Sequence, residues 1–332
     1  RQSVPTGAGF LAASVLWGNL GKAENKGFDA LLEFKDRTSS GLFYSLRGNV
    51  TFARSKVLEN DKADPLYSNL SEIGHPIGQP FGLVAAGFFE SEEDIDNWYD
   101  QSLLGGRPIP GDVKYKDISG PDGVPDGVID DYDKTNIGSP MPKFTFGWTN
   151  TFRYKNFDLS VFINGSYGNK VYNYLSMKLT HMNSPWTNQL NAVNGRAQLV
   201  PINPNKVYED GTMWYNDVSN VMVANPGASI PRATINDPND NDRISDRYIE
   251  DGSYIRLKNI SLGYTFPKKT IDKLGLSNLR IYANIQNLLT ITGYDGYDPE
   301  IGASTSSVNV YGLDNGRYPS PTVYSFGLNV SF

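Results

Sequence analysis

The sequence predicts an all-β protein, the C-terminal portion of a large antiparallel transmembrane β-barrel with long extracellular loops. Three observations predict it. Seven stretches alternate large apolar residues with small or polar ones, the period-two signature of strands with two unlike faces. The connections between them alternate short with very long. No apolar run approaches the roughly 18 residues of a membrane helix, yet aromatics reach 12% and tyrosine and phenylalanine number 20 and 16, a bias toward β structure. A mean hydropathy of -0.41 fits a barrel, whose polar lumen residues offset its apolar ones.

The strands follow in order. Phe28, Ala30, Leu32 and Phe34 alternate with Asp29, Leu31, Glu33 and Lys35. Leu42, Tyr44, Leu46, Gly48, Val50 and Phe52 stand opposite Ser45, Arg47, Asn49 and Thr51. Phe144, Phe146, Trp148, Asn150, Phe152 and Tyr154 form a third set, and Phe157, Leu159, Val161 and Ile163 a fourth. In the fifth, Ile255 and Leu257 share one phase while Ile260, Leu262, Tyr264 and Phe266 share the other. That slip near Lys258-Asn259 predicts a β-bulge. Leu279, Ile281, Ala283 and Ile285 form the sixth. The last runs through Tyr324, Phe326, Leu328, Val330 and Phe332, with only Ser325, Gly327, Asn329 and Ser331 between.

The short connections are Asp36 to Ser40, Lys155-Asn156, and Pro267 to Ser277, the last predicted to hold one helical turn stopped by Gly275. The long inserts lie at about 55–142, 171–250 and 292–321. Structureless connections this long are rare in compact soluble domains and ordinary on the outer side of outer-membrane barrels. With the C-terminus placed in the periplasm, all three inserts fall outside and all three short turns inside. Residues 1–26 then also fall outside, so earlier strands are expected upstream, and the chain reads as the tail of something larger. Tyr154, Phe157, Tyr264, Phe266 and Phe332 are candidates for an interfacial aromatic girdle. The competing reading is a soluble β-sandwich binding module, whose strands also alternate; it requires a second layer over the apolar face.

Other classes are excluded or weakened. A formal charge of -6 provides no basic patch for nucleic acid. There is no cysteine, hence no disulfide framework and no thiolate chemistry. His75 and His181 stand far apart with no serine or glutamate motif beside them. The stretch Gly7-Ala-Gly9-Phe-Leu-Ala12 imitates a dinucleotide fingerprint without the flanking strand and helix that would support it. No catalytic role and no organic cofactor are assigned.

Several stretches resemble the SusC/RagA family of TonB-dependent outer-membrane transporters of Bacteroidetes. They include Asn-Leu-Gly-Lys-Ala-Glu-Asn-Lys-Gly-Phe at 19–28, Gly-Gln-Pro-Phe-Gly-Leu-Val-Ala-Ala-Gly-Phe-Phe at 78–89 and Gly111-Asp-Val-Lys-Tyr-Lys-Asp117. Further on come Pro-Lys-Phe-Thr-Phe-Gly-Trp at 142–148, Tyr-Lys-Asn-Phe-Asp-Leu-Ser at 154–160, Asp-Gly-Ser-Tyr-Ile-Arg-Leu-Lys-Asn-Ile at 251–260 and Gln-Asn-Leu-Leu-Thr at 286–290. The resemblance implies a barrel of about 22 strands when complete, the size class of plugged transporters. It implies a plug and a TonB-contacting segment N-terminal to this region. It also implies a SusD-like surface lipoprotein as lid, TonB-ExbB-ExbD as the energy source, and a glycan or peptide as cargo. An alternative is a passive or adhesin-like outer-membrane barrel that only binds ligands at the cell surface.

Two groups of site residues stand out. Asp117-Ile-Ser-Gly-Pro-Asp-Gly-Val-Pro-Asp-Gly-Val-Ile-Asp-Asp-Tyr-Asp133 carries closely spaced carboxylates and turn glycines, which suit a hard cation. With Gly127 at the glycine position of an EF-hand-type loop, Asp122, Asp126, Asp130 and Asp133 become calcium ligands and Ile129 the aliphatic position. Val124 falls where a ligand is expected, and the bidentate Glu is an Asp. Trp98, Trp186, Trp214 and Tyr215, on the inserts, are candidates to stack on substrate sugars. Ser91 opens a short helix with a capping box to Asp94, placing Trp98 just beyond it.

Overall fold

The computed structural model describes residues 2–5, 15–18, 21–59, 73–184, 186–235, 237–301, 303–304 and 307–332, with backbone alone at 2–5, 15–18, 303–304 and 307–311. The glycine-rich stretch 7–12 and Asn19-Leu20 lie outside these residues.

Seven strands form one antiparallel meander: β1 (Lys22–Arg37), β2 (Phe43–Glu59), β3 (Phe144–Tyr154), β4 (Phe157–Tyr167), β5 (Tyr254–Thr265), β6 (Asn278–Thr292) and β7 (Val323–Ser331). Their spatial order is their chain order, and the sheet is open, with β1 and β7 at its edges. All seven coincide with the alternating stretches of the sequence. All long connections leave one end of the sheet and all short turns the other.

Strand register separates the two faces. One row across six strands reads Ser45, Thr151, Ser160, Ser261, Asn284 and Ser325. The neighbouring row reads Tyr44, Phe152, Leu159, Leu262, Ala283 and Phe326. Adjacent rows point to opposite faces, so one face is small and polar and the other large and apolar.

Among the described residues, nothing covers the apolar face. Phe326 is 83% exposed, Leu32 78% and Leu328 61%. The buried hydrophobic cluster of Leu83, Val113, Tyr115 and Ile129 lies elsewhere, in the first insert. A sandwich would invert this arrangement, burying the sheet face and solvating the loops. The sandwich reading therefore fails, and a lipid solvent for the apolar face accounts for its exposure.

The turn end carries the expected girdle, with Phe157 and Tyr264 ring centroids 4.7 Å apart and Tyr264 and Phe266 5.0 Å apart. The loop end carries a second belt that the alternation analysis did not single out: Phe28, Phe52, Phe144 and Tyr167 touch in succession at 4.8, 5.6 and 5.3 Å. From Phe144 to Tyr154 is ten residue steps, about 34 Å of strand, and a tilt of about 40° reduces that to an apolar band of about 25 Å.

Two boundaries differ from expectation. Strands β1 and β2 run further, so the first insert begins after Glu59 and not near 55. Most of their extra pairs are polar, Glu24 with Lys56, Asn25 with Ser55 and Lys26 with Arg54, with Ala23 opposite Val57 the exception. Such pairs project beyond the lipid band, where alternation has no cause. The other inserts are 168–253 and 293–322, close to the ranges read from sequence.

The bulge is where the phase slipped. Pairing of β5 with β4 shifts here, with Leu257 and Asn259 opposite the adjacent Ile163 and Phe162, while on β6 Asn287 and Leu288 stand opposite Lys258. Against β4, Lys258 is the extra residue, and it lets Ile255 and Leu257 share the apolar face with Ile260 and Leu262. The turn at 266–277 holds a helix at Lys268–Ile271 and closes on Gly275, whose φ of 71° is the left-handed conformation that glycine adopts without strain. Lys155, in the two-residue turn between β3 and β4, holds φ 53°.

Candidate functional site at the loop end of the sheet

The first and second inserts fold onto one another through a buried polar network. Arg232 Nε donates to Asp112 Oδ1 at 2.6 Å, with both side chains buried. Asn241 links the same carboxylate, at 3.0 Å, to the Val113 N–H, which it accepts at 2.8 Å. Asn239 continues the chain to Asn241 at 2.9 Å and to Gln101 at 2.8 Å, and Gln101 Nε2 reaches the Val113 carbonyl at 2.9 Å. Burial pushes the Asp112 carboxyl up, opposed by the Arg232 guanidinium and the hydrogen bonds it accepts. Low dielectric makes each of these bonds strong and each orphan costly, so the network holds the two inserts in one register.

His181 anchors the same platform from the second insert. It follows the helix α2 (Tyr174–Thr180). Its Nε2 lies 2.9 Å from Asp237 Oδ2, and its Nδ1 lies 2.9 Å from Asp242 Oδ2, an ion-pair contact off the hydrogen-bonding direction. Burial favours the neutral ring, but the two carboxylates outweigh it and hold the imidazole up to about 9. The histidine is thus a clamp between two acids.

The acidic turn is ordered by its own backbone. Asp133 Oδ1 accepts the Ile118 and Ser119 N–H groups at 2.7 and 3.1 Å, and its Oδ2 accepts that of Asp130 at 2.9 Å. Asp130 accepts the Tyr132 N–H at 2.7 Å, and Asp126 that of Val128 at 3.0 Å. Asp122 stays at the exposed tip. The expected calcium set of Asp122, Asp126, Asp130 and Asp133 is not gathered. Among the described residues no group of three or more acidic, histidine or cysteine side chains converges on a cation position. The physical reason is competition: the carboxylates that the spacing offers to a cation serve instead as caps for the turn and a short 3-10 helix at Asp131–Asp133. Ile129 is fully buried in the first insert's core, as an aliphatic loop position would be.

The aromatic candidates separate. Trp98 donates its Nε1 to the Tyr115 carbonyl at 2.8 Å, and Lys114 lies 4.9 Å over its ring. It packs the first insert. The helix before it, α1 (Glu92–Asp96), is capped by Ser91, which accepts the Asp94 N–H at 3.2 Å; Asp94 in turn takes the Glu90 N–H and not that of Ser91, so the box closes one residue early. Trp214 and Tyr215 form an edge-to-face pair at 5.7 Å. Tyr215 borders a cavity of about 490 Å³ that also touches Ile109, Met182 and Arg232. Trp186 is 92% exposed and touches neither. The four do not form one platform.

Sequence analysis missed the cluster at the mouth of the polar face. Arg256, on β5, is 3% exposed. Its Nη2 meets Asp298 Oδ1 at 2.5 Å, its Nη1 meets Glu300 Oε2 at 2.7 Å, and its Nε donates to Thr290 at 2.8 Å. Lys258, the bulge residue, shares Glu300 Oε2 at 2.8 Å. Burial alone would raise Asp298, but Arg256 and the Glu300 and Ser320 N–H groups hold it down to about 2. These residues tie the third insert to the inner wall, and Lys258, Asp298 and Glu300 line a cleft of about 480 Å³. The bulge in the alternation was the available signal, since a bulge at a strand end re-aims a side chain.

No family model matches the chain. TonB-dependent receptor P3 of Formosa agariphila is 30% identical over 331 residues, 95% of this chain and 29% of that protein. TonB-dependent receptor P26 of the same organism is 29% identical over 332 residues. TonB-dependent receptor SusC of Bacteroides thetaiotaomicron is 26% identical over 344 residues, 99% of this chain and 28% of that protein. The chain thus spans just under a third of the relatives' length. A structure of the RagAB peptide transporter covers 99% of this chain with a TM-score of 0.68 at 18% identity, and one of the RagAB peptide importer in its closed-closed state scores 0.65 at 19%. At that identity the match speaks for the fold alone, an open part of a large barrel wall. Across 95% of its length, on a sheet bare on one face and polar on the other, the chain is thus similar to a part of proteins named TonB-dependent receptor.

Proposed function

We propose that this chain forms part of the wall and outer loops of an outer-membrane transporter that imports oligosaccharides or peptides, energised through TonB-ExbB-ExbD and gated by a SusD-like surface lipoprotein. The observation that carries the reading is the pair of opposed faces. The apolar face suits acyl chains in the outer membrane, and the polar face with its mouth cluster suits a wet passage. The three inserts then stand outside, where a lid and an incoming oligomer meet them. This region contributes wall and entrance, while the TonB-contacting segment lies in the remainder of the protein.

The test is uptake by cells that carry the full-length receptor, with and without functional TonB. Accumulation of a labelled oligomer that stops without TonB, while surface binding persists, supports the import reading. Binding that persists with no TonB-dependent accumulation under any condition supports a passive, adhesin-like barrel instead. Removing the lipoprotein partner is expected to lower uptake at low substrate concentration far more than it alters barrel assembly.

A further inference from the structure

The mouth cleft holds one cation without an ion partner among the described residues. Its two acids are both engaged. Asp298 accepts Arg256, the Glu300 N–H at 2.9 Å and the Ser320 N–H at 3.0 Å. Glu300 takes Arg256 and Lys258 through one oxygen. Arg317 also lines the cleft, is exposed, and has no ion pair among the described residues. The carboxylate beside its backbone, Asp314, is buried and holds the Tyr294 hydroxyl at 2.6 Å and the Gly316 and Arg317 N–H groups. Asp298 and Glu300 thus match Arg256 and Lys258, and Arg317 is the lining cation left without an ion pair among the described residues.

The rest of the wall narrows the ligand. Tyr318 is 84% exposed at the rim, with Tyr254 also on the wall, and an aromatic face of this kind stacks on a sugar ring. Ser166, Asn169 and Ser320 supply hydroxyl and amide groups. The apolar lining is three prolines and Ile301. We propose that this cleft is a subsite for a carboxylate-bearing oligosaccharide, with Arg317 as the ion partner of the uronate and Lys258 as a second cation that Glu300 shares. The bulge at Lys258 is what adds that second cation to the passage beside Arg256. This inference rests on the import reading for its biological sense, but not for its test.

The full-length receptor, purified in detergent, is titrated calorimetrically with galacturonate, glucuronate and mannuronate tetrasaccharides, each beside its methyl ester, and with tetra-alanine as free acid and as amide. The expected result is one uronate binding at least tenfold tighter than its ester at low salt. Arg317→Gln brings the uronate down to the affinity of its ester, and Arg317→Lys retains part of the preference. Equal binding of acid and ester, no binding of any uronate, tetra-alanine acid as the tightest ligand, or an unaltered preference in Arg317→Gln overturns the subsite. TonB-dependent uptake of acid and ester alike keeps the import reading and removes the subsite; a selective uronate bound but never accumulated keeps the subsite and removes import.

Discussion

Arg232 and Asp112 form the kind of contact whose loss is felt more than its presence. The pair is buried at 2.6 Å, so it gains little over an apolar pair, but either partner left alone is an uncompensated buried charge. Arg232→Met is expected to destabilise the docking of the first two inserts by about 3–5 kcal/mol. The measurement is protease nicking between residues 101 and 113 in the intact barrel. The double variant with Asp112→Leu should recover most of the resistance, and a double variant as fragile as the single would mean the pair is not what holds the contact. His181 adds a pH dependence of definite sign. Its folded value near 9 lies above the ordinary 6.5, so the stability it contributes is present in full below about 6.5 and is lost as pH rises through 9. Hydrogen exchange of residues 237–243, corrected for intrinsic rates, should therefore quicken between pH 7 and pH 10. His181→Asn should flatten that profile, and an unchanged profile in the variant would assign the opening to another group. Lys178, which pairs with Asp242 at 3.2 Å, and Asp240 face the same site.

At the scale of one strand, β5 shows how a single residue preserves a two-faced sheet. Without Lys258 the segment Ile260 to Thr265 would shift by one position, and Ile260, Leu262 and Tyr264 would turn to the polar face. Deleting Lys258 is expected to abolish assembly into the outer membrane, read as loss of the heat-modifiable folded band. Lys258→Met keeps the extra residue and should assemble normally. If the deletion assembles as well as the substitution, the bulge is tolerated irregularity and not a register device. The acidic turn teaches the opposite lesson about elements. Its spacing matched a cation loop, but spacing counts only which carboxylates are near in the chain. Backbone N–H groups at 118, 119, 128, 130 and 132 are nearer still and claim the oxygens first.

For the molecule as a whole, the distribution of burial is inverted relative to a soluble β-protein. The loops have the buried core and the sheet has the exposed aromatics. Seven strands with two unpaired edges and a bare apolar face have no stable state in water on their own. Residues 1–332 produced alone, without detergent, are expected to aggregate, as size-exclusion chromatography would show. A monodisperse, detergent-free monomer would mean that the apolar face finds a cover and that the lipid reading is wrong.

Much of this was legible in the sequence, because strand faces are a local property. A period of two needs only neighbours along the chain, so the seven strands, the phase slip at Lys258 and the stop at Gly275 could each be read without knowing what lies across the sheet. The alternation of short turns with long inserts was likewise a matter of counting. The polar extensions of β1 and β2 were not legible, since a strand outside both lipid and core has no reason to alternate. The contacts at the loop end were not legible either. Arg256 and Asp298 lie 42 positions apart, and Asp112 and Arg232 lie 120 apart. Composition supplies many arginines and aspartates, but only the closing of the inserts over the sheet selects which of them meet. The sequence by itself determined a two-faced wall; the tertiary structure decided which charges stand paired at its mouth and which one, Arg317, is left to meet a ligand.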